Sequence, residues 1–245
     1  NVDVSAAAAH QITVCNVPDY GTNDVADHAL ALYLALARGI LAFDDSVRRA
    51  RPLRWDWLAG GELTRLTRKV FGIIGLGRIG TGTALRAKAF GLRVVFYDPY
   101  VPDGQDKALG VERLTLEELL SCADAISLHV PLTEETRNLV DGAFLARMKP
   151  GTILINTSRG RVVDLRALER ALRQGHLGGA GLDVLPEEPP REDDPLIAAW
   201  RASDSLIAQR LLITPHAAFF NVEAYRELRA KAAAEVRRVF AGEPP

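Results

Sequence analysis

The sequence predicts an α/β protein with a doubly wound, largely parallel sheet. Its middle part alternates short apolar strands with amphipathic helices, beginning with the strand Val70–Ile74. That strand is apolar throughout, as expected of a strand that is buried on both faces of a sheet. The glycines that follow it, Gly75, Gly77 and Gly80, open a predicted helix. This alternation of strands and helices indicates parallel pairing through crossover helices, as in a Rossmann-type fold.

The remaining elements of the sheet follow the same alternation. Helices are predicted over 79–90, 116–120, 142–148 and 165–173, and strands over 93–97, 125–128, 152–156, 179–184 and 211–214. Gly175 closes the helix that ends at residue 173, and Asn221 is placed to cap a long final helix. The proline-rich and acidic segment 186–195 predicts a loop.

The residues before the glycine run predict three further elements. The β-branched run 11–15 predicts a short strand, which Pro18 ends. A helix is predicted over 22–38, with Thr22, Asn23 or Asp24 as its N-cap, and another over 41–50. The 22–38 helix is apolar on nearly all sides, so we expect it to be buried between domains or against a second subunit.

Composition narrows the class of protein. The 245 residues suggest one or two domains, and the net charge of -1 gives no support for a nucleic-acid or acidic-membrane partner. No apolar run is long enough to cross a bilayer, and the N-terminus does not resemble a signal peptide. Cys15 and Cys122 are too few for a disulfide framework, and both are predicted to be reduced core residues of a cytoplasmic protein. Because the chain starts at Asn1 and its one methionine is Met148, we expect further residues upstream.

The glycine run is a predicted dinucleotide site. Gly75 allows a tight turn, Gly77 lets the backbone approach a pyrophosphate, and Gly80 lets the helix pack against the strand. The N-terminus of that helix offers free N–H groups to the phosphates. Asp98 ends the next strand, where its carboxylate can bind the ribose hydroxyls and repel a 2′-phosphate, which favours NAD over NADP. The alternative is an ordinary strand–helix turn that happens to precede an acidic residue.

Two further residues stand at predicted carboxyl ends of strands, where α/β proteins bind ligands. His216 follows the strand 211–214, and Arg159 follows the strand 152–156. A hydride-transfer reaction on an alcohol needs a proton donor near pH 7 and a cation that orients the substrate, and histidine and arginine supply these. Of the other histidines, we interpret His10 as a surface residue and His28 as a satisfied core residue, while His129 lies beside the cofactor edge and His176 ends a helix. Glu187 is interpreted as part of a solvated acidic loop.

Four motifs together resemble one enzyme family. They are Gly-Leu-Gly-Arg-Ile-Gly at 75–80, Asn-Thr-Ser-Arg-Gly at 156–160, Leu-Asp-Val at 182–184 with Glu-Glu-Pro at 187–189, and Thr-Pro-His at 214–216. In this order they resemble the D-isomer-specific 2-hydroxyacid dehydrogenases, over essentially the whole chain. Within that family, the stretches 84–91, 96–100 and 215–218 are most similar to the C-terminal-binding proteins.

The resemblance implies a role for each matching residue. Arg159 would bind the substrate carboxylate and carbonyl, His216 would be the general acid/base, and Glu188 would pair with His216 and favour its protonated form. Asp183 would hold the nicotinamide carboxamide. The other implied cofactor contacts are Thr22, Ile74, Arg78, Ile79, Val130, Pro131, Thr136, Thr157 and Ser158. No metal is expected, because NAD itself supplies the redox chemistry.

The resemblance also implies a domain division. Residues 1–17 would be the tail of a substrate domain, 18–214 the NAD-binding domain with 22–38 as a dimerisation helix, and 215–245 a helix that returns to the substrate domain. The front part of that domain, including a loop that binds the substrate carboxylate, is not in this sequence, and turnover is expected to depend on it. Phe219 also departs from the tryptophan of the C-terminal-binding proteins.

Two functional hypotheses follow. The first is an NAD-dependent dehydrogenase that acts on a small 2-hydroxy or 2-keto acid, as a homodimer. The second is an NAD(H)-sensing dimeric scaffold with a corepressor-like role, in which cofactor binding controls dimerisation. Arg159, Glu188 and His216 together favour the enzyme, and an inert cofactor-binding fragment is the weakest alternative.

Overall fold

The computed structural model describes residues 2–53, 55–202 and 205–243. Its seven strands are β1 (Val70–Ile74), β2 (Arg93–Tyr97), β3 (Glu112–Arg113), β4 (Ala125–Leu128), β5 (Ile153–Asn156), β6 (Gly179–Leu182) and β7 (Leu211–Ile213). They form one parallel sheet in the order β3-β2-β1-β4-β5-β6-β7. The predicted doubly wound α/β fold is therefore confirmed. The direction of winding reverses between β1 and β4, which is where such sheets bind ligands.

Helices cover both faces of this sheet. In the described residues they are α1 (Val4–Ala9), α2 (Thr22–Ala37), α3 (Ile40–Arg49), α4 (Arg78–Ala89), α5 (Gln105–Leu109), α6 (Leu116–Cys122), α7 (Gly142–Arg147), α8 (Leu165–Arg173), α9 (Pro195–Arg201), α10 (Ser205–Ala208) and α11 (Val222–Phe240). One apolar cluster joins α2 and α4 to one face, and includes Phe71 and Ile73. The other joins α6, α7 and α8 to the opposite face, and includes Ile74 and Leu154.

The N-termini of α11 and α2 are capped in different ways. Asn221 accepts a hydrogen bond from the Ala224 N–H, as predicted for the N-cap of α11. In contrast, α2 begins at Thr22 with Gly21 as its N-cap and no side-chain cap, so the predicted capping by Thr22, Asn23 or Asp24 is wrong. The Asp24 carboxylate accepts a hydrogen bond from the Asn221 side chain instead, which ties the start of α2 to the start of α11.

Burial of α2 agrees with the sequence, but its partner is the same chain. Ala26, Ala29 and Leu30 are fully or almost fully buried, and α2 packs against α4, β5 and β6. The apolar helix therefore does not by itself require a second subunit. Among the described helices none is long and apolar enough to cross a membrane alone; α2 and α3 pass that test only as a pair, bent by 61°.

The region before Pro18 differs from the prediction. Residues 12–18 are irregular, and Ile12 is 61 % exposed, so the predicted strand 11–15 is wrong. A β-branched run becomes a strand only where a neighbouring strand accepts its backbone hydrogen bonds, and the described residues place none beside it. Cys15 is likewise exposed rather than buried in a core, whereas Cys122 is half-buried. Near the other end of the chain, α11 leaves Phe240 88 % exposed.

Candidate active site

The turn between β1 and α4 is shaped by its three glycines. Gly75 has a φ of +92°, and a Cβ atom there would lie 2.7 Å from the His129 carbonyl oxygen. A Cβ at Gly80 would lie 2.1 Å from the Gly75 carbonyl oxygen, so this position tolerates only glycine. Gly77 faces open space and caps α4 without a side-chain hydrogen bond, which leaves the helix N–H groups free for an anion.

A cavity of about 580 Å³ lies on the β2 side of this turn. Asp98 lines this cavity. Its two carboxylate oxygens accept hydrogen bonds from the Leu76 N–H (2.8 Å) and the Tyr100 N–H (2.9 Å), and these bonds hold the side chain in place. The Tyr100 hydroxyl donates to Glu135 across the rim at 2.5 Å, and this bond raises the pKa of Tyr100. Among the described residues no lysine or arginine lines this cavity. Its predicted members are Ile74, Gly75, Gly77, Asp98, Val130, Pro131 and Thr136.

The loop after β4 supplies the opposite wall of this first cavity. The Thr136 hydroxyl donates to the Pro131 carbonyl oxygen (2.6 Å) and accepts from the Thr133 N–H (2.8 Å). These bonds close the loop on itself and hold Val130 and Pro131 against the cavity. At the start of the loop, burial lowers the pKa of His129 to about 4, so its ring is neutral at pH 7. Its Nε2 bonds the Ser127 hydroxyl at 2.9 Å.

A second cavity, of about 310 Å³, adjoins the first and shares Gly77 and His129 with it. His216 and Arg159 both line it, although 57 residues of chain separate them. The other predicted site residues that line it are Thr22, Arg78, Ile79, Thr157 and Asp183. The two cavities together form one cleft along the carboxyl edge of the sheet, across the point where the strand order reverses.

His216 is held in an uncommon backbone conformation, with a φ of +52°. Its backbone N–H donates to the carbonyl oxygens of Asp183 (2.8 Å) and Thr214 (3.0 Å). The imidazole Nδ1 lies 2.6 Å from Glu188 Oε2, and Glu188 Oε1 accepts the Leu185 N–H at 2.9 Å. Because Glu188 binds Nδ1, the Nε2 atom is the one left to exchange a proton with a ligand.

Arg159 projects from a turn that its neighbours hold in shape. The Asn156 side chain donates to the Arg159 carbonyl oxygen and accepts from both the N–H and the hydroxyl of Ser158. Ser158 therefore lines neither cavity and stabilises the turn, although it is among the implied cofactor contacts. The Arg159 guanidinium donates from Nη1 to the Ser158 carbonyl oxygen at 2.6 Å, and its residue is exposed at the cleft.

Comparison with known proteins shows which family this chain belongs to. The family model of the NAD-binding domain of the D-isomer-specific 2-hydroxyacid dehydrogenases matches residues 30–218. This chain belongs to that family. It is 42 % identical to a glyoxylate reductase of Korarchaeum cryptofilum over 221 residues, which are 89 % of this chain and 63 % of the reductase. It is 42 % identical to a D-3-phosphoglycerate dehydrogenase of Mycobacterium bovis over 243 residues, which are 99 % of this chain and 43 % of that enzyme.

Solved structures agree with this assignment. The D-lactate dehydrogenase from Aquifex aeolicus, complexed with NAD and lactic acid, superposes with a TM-score of 0.84 at 31 % identity, covering 99 % of this chain and 73 % of that one. The chain spans about two fifths to two thirds of the length of the curated relatives it matches. These relatives place it in the dehydrogenase family, while the likeness to C-terminal-binding proteins stays a prediction.

The cleft of this chain fits NAD. The glycine turn leaves the first N–H groups of α4 open to a ligand, and Asp98 lies in the first cavity, whose described lining contains no lysine or arginine. In the second cavity, the Thr157 hydroxyl is buried and has no hydrogen-bond partner among the described residues. A buried hydroxyl that lacks a partner costs about 1–3 kcal/mol, which a bound polar ligand would relieve. NAD would supply the hydride chemistry, and Gly77, Asp98 and Thr157 would hold it.

Asp183 anchors the His216 turn. Its Oδ1 accepts hydrogen bonds from the Thr214 hydroxyl (2.6 Å) and the Ala217 N–H (2.9 Å), and its Oδ2 accepts one from the Ala218 N–H (3.0 Å). The resemblance implies a contact with the nicotinamide carboxamide, and Asp183 does line the second cavity. Its Oδ2 accepts only one of these hydrogen bonds, so a lone pair on that oxygen is left for a ligand donor.

The second cavity has an aromatic wall, and sequence reasoning missed one of its two residues, Tyr20. Tyr20 and Phe219 both line it, with ring centroids 6.1 Å apart and edge to face, and Phe219 also lies 6.4 Å from the His216 ring. Phe219, which departs from tryptophan at this position, keeps an aromatic ring in the wall. Tyr20 had one available signal, since it lies two residues before Thr22, which was already expected to enter the cleft.

Proposed function

We propose that the whole protein is an NAD-dependent oxidoreductase that interconverts a D-2-hydroxy acid and its 2-keto acid. The observation that carries this proposal is that Arg159 and His216, whose Nδ1 is bonded to Glu188, both line one cavity beside the glycine turn. A bare dinucleotide-binding module has no need of a paired histidine and a cleft-facing arginine at the same point. The names of the relatives, glyoxylate reductase and D-lactate dehydrogenase, support the same class of substrate.

Each residue has a distinct part in the proposed reaction. The Arg159 guanidinium binds the substrate carboxylate through its planar pair of N–H groups and polarises the carbonyl. In oxidation, His216 Nε2 accepts the proton of the substrate hydroxyl while Glu188 stabilises the resulting imidazolium through Nδ1. In reduction, the same imidazolium returns the proton to the carbonyl oxygen. The cofactor, when bound, accepts or donates the hydride.

Incubation of the full-length protein with NADH and a panel of 2-keto acids tests this proposal. We expect NADH oxidation with at least one keto acid, and its loss in Arg159→Gln, while NADH binding measured by fluorescence is retained. Arg161→Gln is the matched control, because Arg161 is a neighbouring arginine that lines neither part of the cleft. The proposal is wrong if the protein binds NADH but turns over no keto acid, or if Arg159→Gln matches the wild-type rate.

We also propose that the protein is a homodimer, now on different grounds. Two large apolar side chains lie outside the core: Trp55 is 86 % exposed and Trp57 is 83 % exposed. Exposed aromatic clusters of this kind are typical of subunit interfaces. Sedimentation should give a dimer with and without NADH, and Trp55→Glu should give a monomer. A wild-type monomer at micromolar concentration contradicts this proposal, and a dimer that forms only with NADH favours the scaffold function.

A cytoplasmic location is part of the same proposal. Cys15 and Cys122 are both unpaired, as is usual for proteins in a reducing compartment. Fractionation of cells that express the tagged full-length protein should recover it with the soluble cytoplasmic fraction, and recovery outside that fraction would contradict the proposed location.

A further inference from the structure

Helix α2 brings a histidine to the back of the His216 turn. His28 Nε2 lies 2.9 Å from the Thr214 hydroxyl oxygen and 3.6 Å from Asp183 Oδ1. The His28 side chain is 26 % exposed and the Asp183 side chain 1 % exposed, so the pair lies at the boundary of the interior. His28 does not line either part of the cleft. From the sequence it is interpreted only as a satisfied core residue.

The hydrogen bonds among these three residues can run in only one direction. A carboxylate only accepts, so the Thr214 hydroxyl must donate its proton to Asp183 Oδ1, at 2.6 Å. Its oxygen is then an acceptor toward His28. The nitrogen that faces it must carry a proton, which means that His28 is either the Nε2–H tautomer or the imidazolium. The order is therefore His28 Nε2–H to Thr214 to Asp183.

This series of bonds ends on the group that shapes the catalytic turn. Asp183 accepts three successive backbone N–H groups: that of His216 on its carbonyl oxygen, and those of Ala217 and Ala218 on its carboxylate. The φ of +52° at His216 is unfavourable for a residue with a Cβ and persists only where the surroundings impose it. A change in the orientation of the Asp183 carboxylate therefore moves the backbone that carries the His216 ring.

We propose that His28 is a positioning residue for the reaction. Its Nε2–H, through the Thr214 hydroxyl, orients the Asp183 carboxylate and thereby sets the turn that presents His216 to the substrate. This inference rests on the proposed dehydrogenase function. A histidine that merely satisfies the core would stabilise the fold without affecting the position of His216.

The first test measures the hydrogen-bond order without measuring turnover. Long-range ¹H–¹⁵N correlation spectra of the imidazole rings, with His28 assigned through His28→Gln, should show a proton on Nε2 at neutral pH. Thr214→Val should shift the His28 resonances, while leaving those of His176 in place. A neutral Nδ1–H tautomer, or His28 resonances that do not respond to Thr214→Val, would overturn the proposal even if the protein has no keto-acid activity.

The second test separates positioning from stability in the full-length protein. His28→Leu should lower kcat between about 10-fold and 100-fold, as expected for a small displacement of a reacting group. NADH affinity should be retained, and His28→Gln should restore most of kcat because its amide keeps a donor. The double variant His28→Leu/Thr214→Val should lose no more than Thr214→Val alone. Additive losses in the double variant would contradict action through Thr214.

His176→Leu is the matched control. His176 Nε2 bonds the Leu145 carbonyl oxygen at 2.8 Å, away from the cleft. His176→Leu should lower Tm and leave kcat unchanged. If His28→Leu behaves in the same way, His28 has only a structural role and the proposal is wrong.

Discussion

The two parts of the cleft are built in different ways. The lining of the first cavity, which contains Asp98, comes from residues that all lie between positions 74 and 139. Most of them belong to the ends of β1, β2 and β4 and to the loops that follow these strands. The second cavity draws its lining from separate stretches between residues 18 and 219, on both sides of the sheet's reversal point. The first is therefore a product of one strand–helix–strand unit and its neighbour. The second exists only when distant parts of the chain meet.

Their charges differ as well. The described lining of the first cavity is acidic and contains Asp98 and Glu135, whereas that of the second contains two arginines, Arg78 and Arg159, and one carboxylate, Asp183. An acidic lining suits ribose hydroxyls, and a cationic lining suits phosphate and carboxylate groups. This contrast leads to two expectations: variants of Asp98 in the first cavity should alter cofactor choice, and variants of Arg159 and His216 in the second should alter turnover.

The largest effect is expected at His216. His216→Asn should lower kcat by about 10²–10⁴-fold, because the proton acceptor is lost, while NADH affinity is retained. Steady-state kinetics on the full-length protein, with NADH binding measured in parallel, provide the test. Glu188→Gln should show a smaller loss, since it leaves the ring in place. Equal losses of NADH affinity and of kcat in His216→Asn would show that binding and chemistry are not separate.

A matched pair of glycine variants separates cofactor binding from fold stability within the turn between β1 and α4. Gly80→Ala should destabilise the fold by about 3 kcal/mol or more, because its Cβ would lie 2.1 Å from the Gly75 carbonyl oxygen. Gly77→Ala faces open space in the free protein, so it should leave Tm unchanged and weaken NADH binding. Thermal unfolding and NADH titration distinguish the two. Unchanged NADH affinity in Gly77→Ala would mean that the pyrophosphate lies elsewhere.

Asp98 tests the acidic character of the first cavity. Asp98→Ala should raise the affinity for NADPH relative to NADH by about 10-fold, because one unfavourable charge is removed from the site of the 2′-phosphate. Glu135→Gln is the control on the rim, where the carboxylate is already engaged by Tyr100, and its effect should be smaller. Parallel titrations with both cofactors measure the ratio. No change in Asp98→Ala would show that cofactor choice is made outside this cavity.

The smallest effect is expected at Thr157. Thr157→Val removes a buried hydroxyl that has no partner among the described residues, so the free protein should become more stable by about 1 kcal/mol. The same variant should bind NADH more weakly, because the hydroxyl is then missing from the complex. Denaturant unfolding with and without NADH measures both quantities. A loss of stability in the free protein would mean that the hydroxyl already has a partner.

The predicted helices and strands agree with the structure where a local sequence pattern is sufficient to define them. The bounds of β2, β4 and α8 agree with the prediction, because each is a short apolar or amphipathic run with a clear stop. The short elements α5 and β3 were missed, since a few residues carry little periodicity. The strand predicted at 11–15 failed for a different reason: a strand depends on a neighbour that the local sequence does not describe.

The same distinction holds in the site. The placement of Gly75, Gly77 and Asp98 around one cavity could be predicted, because it follows from one turn and the strand after it. Tyr20 and His28 could not, because Tyr20 acquires its place from Phe219 and His28 from Thr214, and each partner lies more than 180 residues away along the chain.

The sequence by itself determined the parallel sheet, the glycine turn and the acidic residue at the end of β2, since periodicity and backbone freedom are local properties of the chain. The tertiary structure alone decided that Asp183 anchors the His216 turn, that the Thr157 hydroxyl is buried without a partner, and that α2 is covered by its own chain. Those outcomes depend on distances between residues far apart in sequence, which only the packed fold specifies.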